Sequence, residues 1–371
     1  MTNVRNLSLF ITAVCVLGVF SQSAHGAEPA DSAQYDAIVE KAIAFCQANQ
    51  AADGSWSADA GPAVSAIVLA GLLRSGRSAD DPMIAKGLKY LEKFVQDDGG
   101  IYGEGSTHRN YETCIALQAF HEANGDGRYD DLVKKAEAFV RGIQWDREDG
   151  ISKSDPNYGG AGYGSRRRPD LSNTSFLLDT LKSLGAGADD EAVQKALVFV
   201  SRCQNLESEY NTTEFAAKID DGGFYYTIAA GGSSQAGTTP NGGLRSYGSM
   251  TYAGLKSLIY AGLDQDDPRV KAALTWIKKH YTLEENPGMG AAGLYYYYQA
   301  YARALDALGT DEITDAEGTK HDWRSELTAE LAKRQRPDGS WVNETSRWME
   351  GNPNLVTGYV LLALSYTRPT N

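Results

Sequence analysis

The chain has 371 residues, of which 42% are hydrophobic and 22% charged, and it carries a formal net charge of −13. This acidic balance excludes a basic nucleic-acid-binding surface and predicts repulsion from anionic membranes. Beyond the N-terminal region, no stretch approaches the roughly 20 apolar residues that a membrane-spanning helix needs. We therefore predict no nucleic-acid partner and no transmembrane span, and the sequence indicates no cofactor.

The first residues have the pattern of an export signal. Arg5 precedes an apolar run over residues 7–20, and the small-x-small motif Ala24-His25-Gly26 follows. This combination is typical of a signal peptide that is removed after export. We expect residues 1–26 to be cleaved, residues 27–371 to form the mature domain, and the protein to be periplasmic or secreted.

Three cysteines follow the signal, at Cys46, Cys114 and Cys203. An odd number of thiols cannot all pair within one chain, and their spacing matches no zinc motif. Each lies in an apolar helical pattern. We therefore predict that all three belong to the core.

Internal repetition is the strongest feature of the sequence. The segments Gln50 to Trp56 and Gln335 to Trp341 share the pattern Q-x-x-D-G-S-W, and weaker versions begin at Gln96, Gln144 and Asp220. The strong copies each follow an amphipathic helical pattern and precede a more apolar one. The repeating unit is therefore helix, Gly-aromatic turn, helix.

The 3.6-residue periodicity around these turns predicts two sets of helices. The polar-faced set lies near residues 35–49, 82–96, 128–143, 189–203, 268–280 and 321–335. The more apolar set lies near residues 62–74, 108–123, 170–184, 247–261, 292–308 and 354–366. Six such hairpins can close into two concentric rings, a single α/α toroid without an exposed end repeat. The alternative topology is an open solenoid.

The repeat resembles that of the prenyltransferase and squalene-cyclase superfamily, and the likeness covers residues 35–366. In that repeat the Gln ends an outer helix, the Asp-Gly pair forms the turn, and the indole packs over the turn. The resemblance therefore implies structural roles for Gln50, Trp56, Gln335 and Trp341. It also implies an all-α, terpenoid cyclase-like toroid.

A literal D-x-D-D, the motif that holds the proton donor of triterpene cyclases, stands at Asp264-Gln265-Asp266-Asp267. Acidic pairs occupy the same register in the segments that start at Ser78, Asp126 and Gly187. An Asp at a helix start accepts hydrogen bonds from free backbone N–H groups. Because the cyclase acid belongs at the opposite end of the toroid, we interpret these aspartates as exposed helix caps.

The third inner helix starts with Asp170-Leu171-Ser172-Asn173-Thr174, which resembles D-x-D-D-T at its first and last positions. Ser172 stands where cyclases have the proton donor, and a neutral hydroxyl cannot protonate an alkene. Asp170 and Asn173 remain as candidate catalytic residues. At a helix N-terminus the Asp170 carboxylate should stay ionised, which suits a general base, and its alternative role is an N-cap.

The same segment resembles the β subunits of protein prenyltransferases, which hold zinc through an Asp-x-Cys pair and a His. This chain keeps the Asp as Asp170. It has Ser172 in place of the Cys and, in an ungapped alignment, Met250 in place of the His. Zinc requires thiolate, imidazole or carboxylate donors, so we expect no metal site here.

The segment His108 to Cys114 resembles the H-x-x-Y-x-x-C motif of those subunits. In that family the His contacts the isoprenoid diphosphate, and a basic residue aligned with Arg167 assists. The resemblance implies ligand contacts at His108, and we include its neighbours Arg109 and Glu112. Alternatively, His108 is solvated and paired with Glu112, one helical turn further on.

The inner helices all begin at the end that carries the Gly-aromatic turns, so their positive dipole ends converge there and favour an anionic group. The long loops 144–169 and 204–246 lie at the same end and predict a partial lid. Aromatic side chains of two inner helices can stabilise a carbocation, stack on a sugar, or pack in the core. The further candidate ligand contacts are Arg245, Tyr247, Tyr252, Tyr295 and Tyr298.

Three functions agree with these observations, and neither catalysis nor an oligomeric state follows from them. The first is an exported binder or enzyme for isoprenoid-like or other hydrophobic molecules that lacks the usual D-x-D-D acid and zinc ligands. The second is a polysaccharide-active protein with a glycan ligand, since lyases and hydrolases also use α/α toroids. The third is a non-catalytic module that presents its loops to a protein partner.

Overall fold

The computed structural model describes residues 29–146, 150–164 and 168–368, in which longer helices alternate between outer and inner positions. The outer helices are α1 (Pro29–Asn49), α3 (Pro82–Glu92), α5 (Asp130–Gly142), α7 (Glu191–Arg202), α10 (Pro268–Lys279) and α12 (Trp323–Arg334). The inner helices are α2 (Pro62–Arg74), α4 (Arg109–Glu122), α6 (Leu171–Ser183), α9 (Gly248–Tyr260), α11 (Leu294–Leu308) and α13 (Pro353–Leu364). A short helix, α8 (Ala216–Ile219), lies in the long loop between α7 and α9.

The inner helices form a closed ring. Each contacts the next along the chain, and α13 packs against α2. The predicted all-α toroid is therefore confirmed, and the open solenoid is excluded. Enclosure on all sides explains why an inner helix is apolar all round: every residue of α2 from Pro62 to Leu73 is buried.

Two predictions concern the N-terminus and a possible membrane span. The predicted signal peptide, residues 1–26, lies outside the described residues. Among the helices that are described, none is both long and apolar enough to cross a bilayer.

The repeated glutamines join neighbouring outer helices. Gln50, just after α1, donates from Nε2 to the carbonyl oxygen of Met83 in the first turn of α3, at 2.9 Å. The bond crosses from one repeat to the next, so the side chain sets the spacing of the outer ring. Equivalent bonds join Gln144 to Ala192, Gln204 to Arg269 and Gln335 to Ile38.

The repeated tryptophans hold each turn against the helix before it. Trp56 is fully buried, and its indole Nε1 donates to the carbonyl oxygen of Cys46 at 2.8 Å. Trp341 makes the equivalent bond to Leu331, also at 2.8 Å. Buried indole N–H groups need such a partner, and the structural roles predicted for the Q-x-x-D-G-S-W residues are confirmed.

The acidic pairs act as helix caps at three of the four predicted places. Asp267 accepts a hydrogen bond from the backbone N–H of Arg269 at 2.8 Å, at the start of α10, and the equivalent aspartates cap α3 and α7. The helix α5 departs from this interpretation, because its N-cap is Tyr129, which makes no side-chain cap bond. Its acidic pair lies in the first turn instead, where it still favours the helix dipole.

One small feature was not predicted. The connection between α11 and α12 contains an antiparallel ribbon of two strands, β1 (Glu312–Thr314) and β2 (Lys320–Asp322). Strands of three residues are too short for an alternation of apolar and polar positions to be recognised.

The three cysteines are buried and free, as predicted. Burial raises the pKa of Cys46 and Cys114 to about 12, so both thiols stay neutral at physiological pH. Over the described parts of the chain, no group of three or more His, Cys, Asp and Glu side chains is arranged to hold a metal ion.

Candidate functional site

The ring encloses a cavity of about 340 Å³ at the N-terminal ends of the inner helices. Each inner helix contributes residues from its first two turns, and connecting loops supply the rest of the wall. Small-molecule sites usually measure about 300–1,000 Å³. The cavity therefore suits a small ligand or part of a larger one.

Aromatic side chains from four inner helices line this cavity: Tyr111, Phe176, Tyr296 and Tyr359, which we call the aromatic cluster. The ring centroids of Tyr111 and Phe176 lie 5.2 Å apart in an edge-to-face arrangement. Those of Phe176 and Tyr296, and of Tyr296 and Tyr359, each lie 6.1 Å apart. These distances are typical of stabilising aromatic contacts, so the wall is apolar and held in place by its own packing.

The same cavity wall contains two hydroxyl pairs. Ser172 Oγ lies 3.0 Å from Tyr296 Oη, and Tyr111 Oη lies 3.2 Å from Tyr359 Oη. Burial raises the pKa of Tyr111 to about 12 and that of Tyr296 and Tyr359 further, so these phenols are neutral. In each pair one hydroxyl donates to the other, which leaves one O–H proton per pair without an acceptor among the described residues.

Glu350 is a buried carboxyl group in the cavity wall. It accepts hydrogen bonds from the backbone N–H of Tyr296 at 2.8 Å and from Nδ2 of Asn343 at 2.7 Å. The N-cap residue of α11 is Gly293, which has no side chain to accept a hydrogen bond. Glu350 therefore caps this helix in its place. Burial raises the pKa of Glu350, while these hydrogen bonds act in the opposite direction.

Glu112 is the second carboxyl group of the wall. It accepts from the backbone N–H of Gly103 at 2.9 Å and from Ser106 Oγ at 2.8 Å, so it holds the turn before α4. The proposed pair of His108 with Glu112 does not form. His108 instead lies edge-on to Tyr163, with ring centroids 4.8 Å apart, at the exposed mouth of the cavity.

Asp170 lies in the layer behind the wall, where it caps α6. Its carboxylate accepts from the backbone N–H of Asn173 at 2.9 Å and from the Asn173 side chain at 2.8 Å. Tyr226, which lines the cavity, also bonds to this carboxylate. Burial raises the pKa of Asp170 to about 6 despite these hydrogen bonds, a value that still leaves the carboxylate ionised at neutral pH.

The structure separates the predicted ligand contacts into two groups. Those that line the cavity are His108, Glu112 and Tyr247. Those that lie outside its wall are Arg109, Arg245, Tyr252, Tyr295 and Tyr298. The remaining candidate, Arg167, lies outside the described residues.

The residues outside the wall have identifiable partners. The Arg109 guanidinium lies over the ring of Tyr102, 4.8 Å from its centroid, and the exposed Arg245 donates to the carbonyl oxygen of Thr238. The predicted tyrosines are buried between helices; those of α11, for example, pack edge to face with centroids 5.7 Å apart. In the four-tyrosine run only Tyr296 is partly exposed, and it faces the cavity.

Two large apolar side chains at the mouth were missed. Trp348 is 45% exposed and Met349 49% exposed, and both line the cavity. Their backbones are left-handed, with φ of 53° and 66°, which is uncommon for non-glycine residues. No periodic pattern marks this loop. It meets the predicted lid loop through Arg347, which donates to Gln235 Oε1 at 2.6 Å.

A buried charged cluster lies one or two turns deeper along the inner helices. The Asp179 carboxylate contacts Lys256 Nζ at 2.6 Å and Arg303 Nη1 at 3.0 Å, and Arg303 also reaches Gln118 Oε1. Burial lowers the pKa of Lys256 to about 8, although the Asp179 charge opposes this shift. This cluster was not predictable from the sequence, because its members are scattered over four helices.

Residues 57–229 match the family model of the squalene-hopene cyclase C-terminal domain. Among solved structures, the chain is similar to a variant of the type II terpene cyclase MstE from Scytonema in complex with geranylgeranyl dihydroxybenzoate. The TM-score is 0.54 at 13% identity, over 92% of this chain and 99% of that chain. A second MstE variant, in complex with the product merosterolic acid A, gives a TM-score of 0.53 at 15% identity over the same shares of each chain.

A protein from Actinoplanes is also similar, with a TM-score of 0.50 at 15% identity over 90% of this chain and 99% of that chain. A comparison with curated proteins gives no match. The resemblance to the terpenoid cyclase-like superfamily is therefore confirmed. At these identities the structural likeness concerns the fold alone.

Proposed function

Because this chain has the fold of the terpenoid cyclase-like superfamily, we propose that it binds a short isoprenoid-like molecule in the aromatic cavity, and that it does so after export. The observation that carries the proposal is the aromatic cluster, which four inner helices place around one cavity. Aromatic faces and aliphatic side chains offer an isoprenoid chain the apolar contacts that it loses in water. The similar structure with bound geranylgeranyl dihydroxybenzoate supports this ligand class.

The proposed activity is binding, and no protonation or metal-dependent step is assigned. By the sequence resemblance, Ser172 replaces the acid of cyclases and the zinc-binding Cys of prenyltransferase β subunits, and Met250 replaces the zinc-binding His. Both residues line the cavity. A hydroxyl and a thioether supply neither a proton donor strong enough for an alkene nor a zinc ligand set. A polysaccharide ligand has less support, because the cavity's two carboxylates already accept structural hydrogen bonds.

The test is native mass spectrometry of the full chain with farnesene, a neutral isoprenoid hydrocarbon, and with maltohexaose. We expect farnesene to bind and maltohexaose not to bind. Phe176→Ala removes a ring from the cavity wall, while the matched control Phe139→Ala removes a half-buried ring from the outer helix α5. Farnesene binding should weaken only in the first variant. Binding of maltohexaose alone would refute the proposal.

A further inference from the structure

The charges around the cavity restrict the polar end of its ligand. The described lining residues include two carboxyl groups, Glu112 and Glu350, and no Lys or Arg. Asp170 adds a third carboxyl group directly behind the wall. His108 is the basic lining residue in this part of the chain, and it lies at the exposed mouth. The positive dipole ends of α4, α6 and α11 already face these carboxyl groups, with Glu112 in the first turn of α4, Asp170 at the N-cap of α6 and Glu350 on the N-terminus of α11. A diphosphate inside the cavity would therefore meet like charges in a poorly solvated place.

Two described arginines contact residues of the cavity wall but do not change this balance. Arg168 is exposed and donates to Ser233 Oγ at 3.0 Å, while its guanidinium lies over the Tyr226 ring. Arg347 is exposed and donates to Gln235. Neither lines the cavity. The predicted diphosphate contact of His108 with Arg167 stays a prediction, because Arg167 lies outside the described residues.

What the cavity offers to a polar group is neutral hydroxyls. The Ser172–Tyr296 and Tyr111–Tyr359 pairs come from four inner helices, and all four residues line the cavity. Each pair retains one O–H proton and several acceptor lone pairs. A ligand hydroxyl or carbonyl group can accept the free proton, and a ligand hydroxyl can also donate to the phenol oxygens. A hydrocarbon leaves these groups unpaired, which costs free energy in a buried site.

We propose that the ligand is a short isoprenoid with a neutral hydroxyl or carbonyl group, which binds at the Ser172–Tyr296 and Tyr111–Tyr359 hydroxyl pairs. This inference rests on the proposed binding of isoprenoids. In addition to isoprenoid binding, it specifies the polar group of the ligand and the residues that recognise this group. Ser172, at the position where related cyclases hold an acid, acquires a binding role in this chain.

The experiment is a competition of farnesol, farnesal, farnesene and farnesyl diphosphate for the full chain, read by native mass spectrometry at equal ligand concentrations. Farnesol and farnesal separate the hydroxyl from the carbonyl. We expect whichever of the two is preferred to bind about tenfold more tightly than farnesene, as one additional hydrogen bond allows. Farnesyl diphosphate should bind most weakly.

The variants Tyr296→Phe and Tyr359→Phe remove one oxygen each and keep the ring. Each should weaken binding of the preferred ligand fivefold to tenfold, on the order of one hydrogen bond, without weakening farnesene binding. The matched control is Tyr298→Phe, which removes a hydroxyl that donates to the carbonyl oxygen of Leu283, outside the cavity. Circular dichroism and thermal unfolding confirm that each variant is folded.

The outcomes separate the two proposals. If farnesene binds as well as farnesol and farnesal, and the Phe variants change nothing, the hydroxyl recognition is wrong while the isoprenoid site stands. Preference for farnesyl diphosphate would likewise overturn only the neutral ligand class. If none of the four isoprenoids binds to the folded protein, both proposals fail.

Discussion

Gln335, which follows α12, donates a hydrogen bond from Nε2 to the carbonyl oxygen of Ile38 in α1 at 2.9 Å. The two residues are 297 positions apart, and the bond joins the last outer helix to the first. A second bond from the same amide reaches Gly339 in its own turn at 3.0 Å. Gln335 therefore closes the outer ring with the same type of bond that joins neighbouring repeats through the other glutamines.

Replacement of this amide should destabilise the whole toroid. Gln335→Leu removes one hydrogen bond from each of two carbonyl oxygens, and we expect the free energy of unfolding to fall by about 1–3 kcal/mol. The exposed Gln265 provides the control, since Gln265→Leu should change it by less than about 0.5 kcal/mol. Urea unfolding measures both. Equal losses in the two variants would show that the bond to Ile38 contributes nothing to ring closure.

The turn glycines should differ sharply in their tolerance of alanine. Gly159 has φ +81°, and an added Cβ would lie 1.8 Å from the carbonyl oxygen of Lys195 in the next outer helix. Gly105 has φ +69°, and its Cβ would meet nothing within 4 Å. In both variants, an alanine in the left-handed backbone conformation lowers the free energy of unfolding by roughly 1–2 kcal/mol. Gly159→Ala should cost at least about 2 kcal/mol more, because the backbones must separate. Similar unfolding midpoints would contradict this.

The D-x-D-D aspartates should affect stability rather than binding. Asp267→Ala removes the cap of α10, and we expect a loss of about 1 kcal/mol with unchanged ligand affinity. Asp267→Asn should restore most of that stability, since Asn caps helices equally well. Chemical denaturation and the farnesol assay together provide the measurement. Loss of ligand binding in a fully folded Asp267→Ala protein would show that the D-x-D-D motif has a functional role.

Asp170 should impose its own pH dependence on stability. Its folded-state pKa is raised by burial from 3.8 to about 6. Between these values the folded protein holds a proton that the unfolded chain has released, so stability falls as the pH rises. The stability of the wild type minus that of Asp170→Asn should therefore decrease from about pH 4 to pH 6. A difference that stays flat or increases over this range would rule out the raised pKa.

A second carboxyl group gives the opposite slope as a control. The pKa of Asp267 is lowered, mainly by its hydrogen bond to Arg269. Its stabilising contribution is present above the unfolded-state pKa and is lost as the pH falls through the lowered value. The difference between the wild type and Asp267→Asn should therefore decrease on acidification, while that for Asp170→Asn increases.

The helices were predictable because their signals are local. The 3.6-residue periodicity and the Gly-aromatic turns placed α2, α9 and α11 within a few residues of their observed bounds. Ring closure was predictable from the six helix pairs, which can form two concentric rings without an exposed end repeat. The exception among the caps, Tyr129, arose because the acidic pair Asp130-Asp131 lies inside the first turn of α5, whereas in the other three repeats the pair directly precedes the helix.

The cavity wall was less predictable, because it depends on helix rotation. Successive residues of a helix are separated by about 100°, so a one-residue difference turns a side chain from the core to the cavity. In the run of four tyrosines the pattern favoured Tyr295 and Tyr298, whereas the packing of α11 exposes Tyr296. Glu350 comes from a loop 54 residues away and reaches the wall through the α11 N-terminus, a contact that no local pattern encodes.

The charged cluster of Asp179, Lys256 and Arg303 has a consequence for ligand exchange. Its side chains are at most 5% exposed and occupy the interior of the toroid below the aromatic cluster. A hydrophobic ligand cannot cross this layer without separating the paired charges in a medium of low polarity, which costs several kcal/mol. If the cavity binds the proposed isoprenoid, the ligand therefore enters and leaves through the mouth, and a bound molecule has to dissociate before the next one can bind.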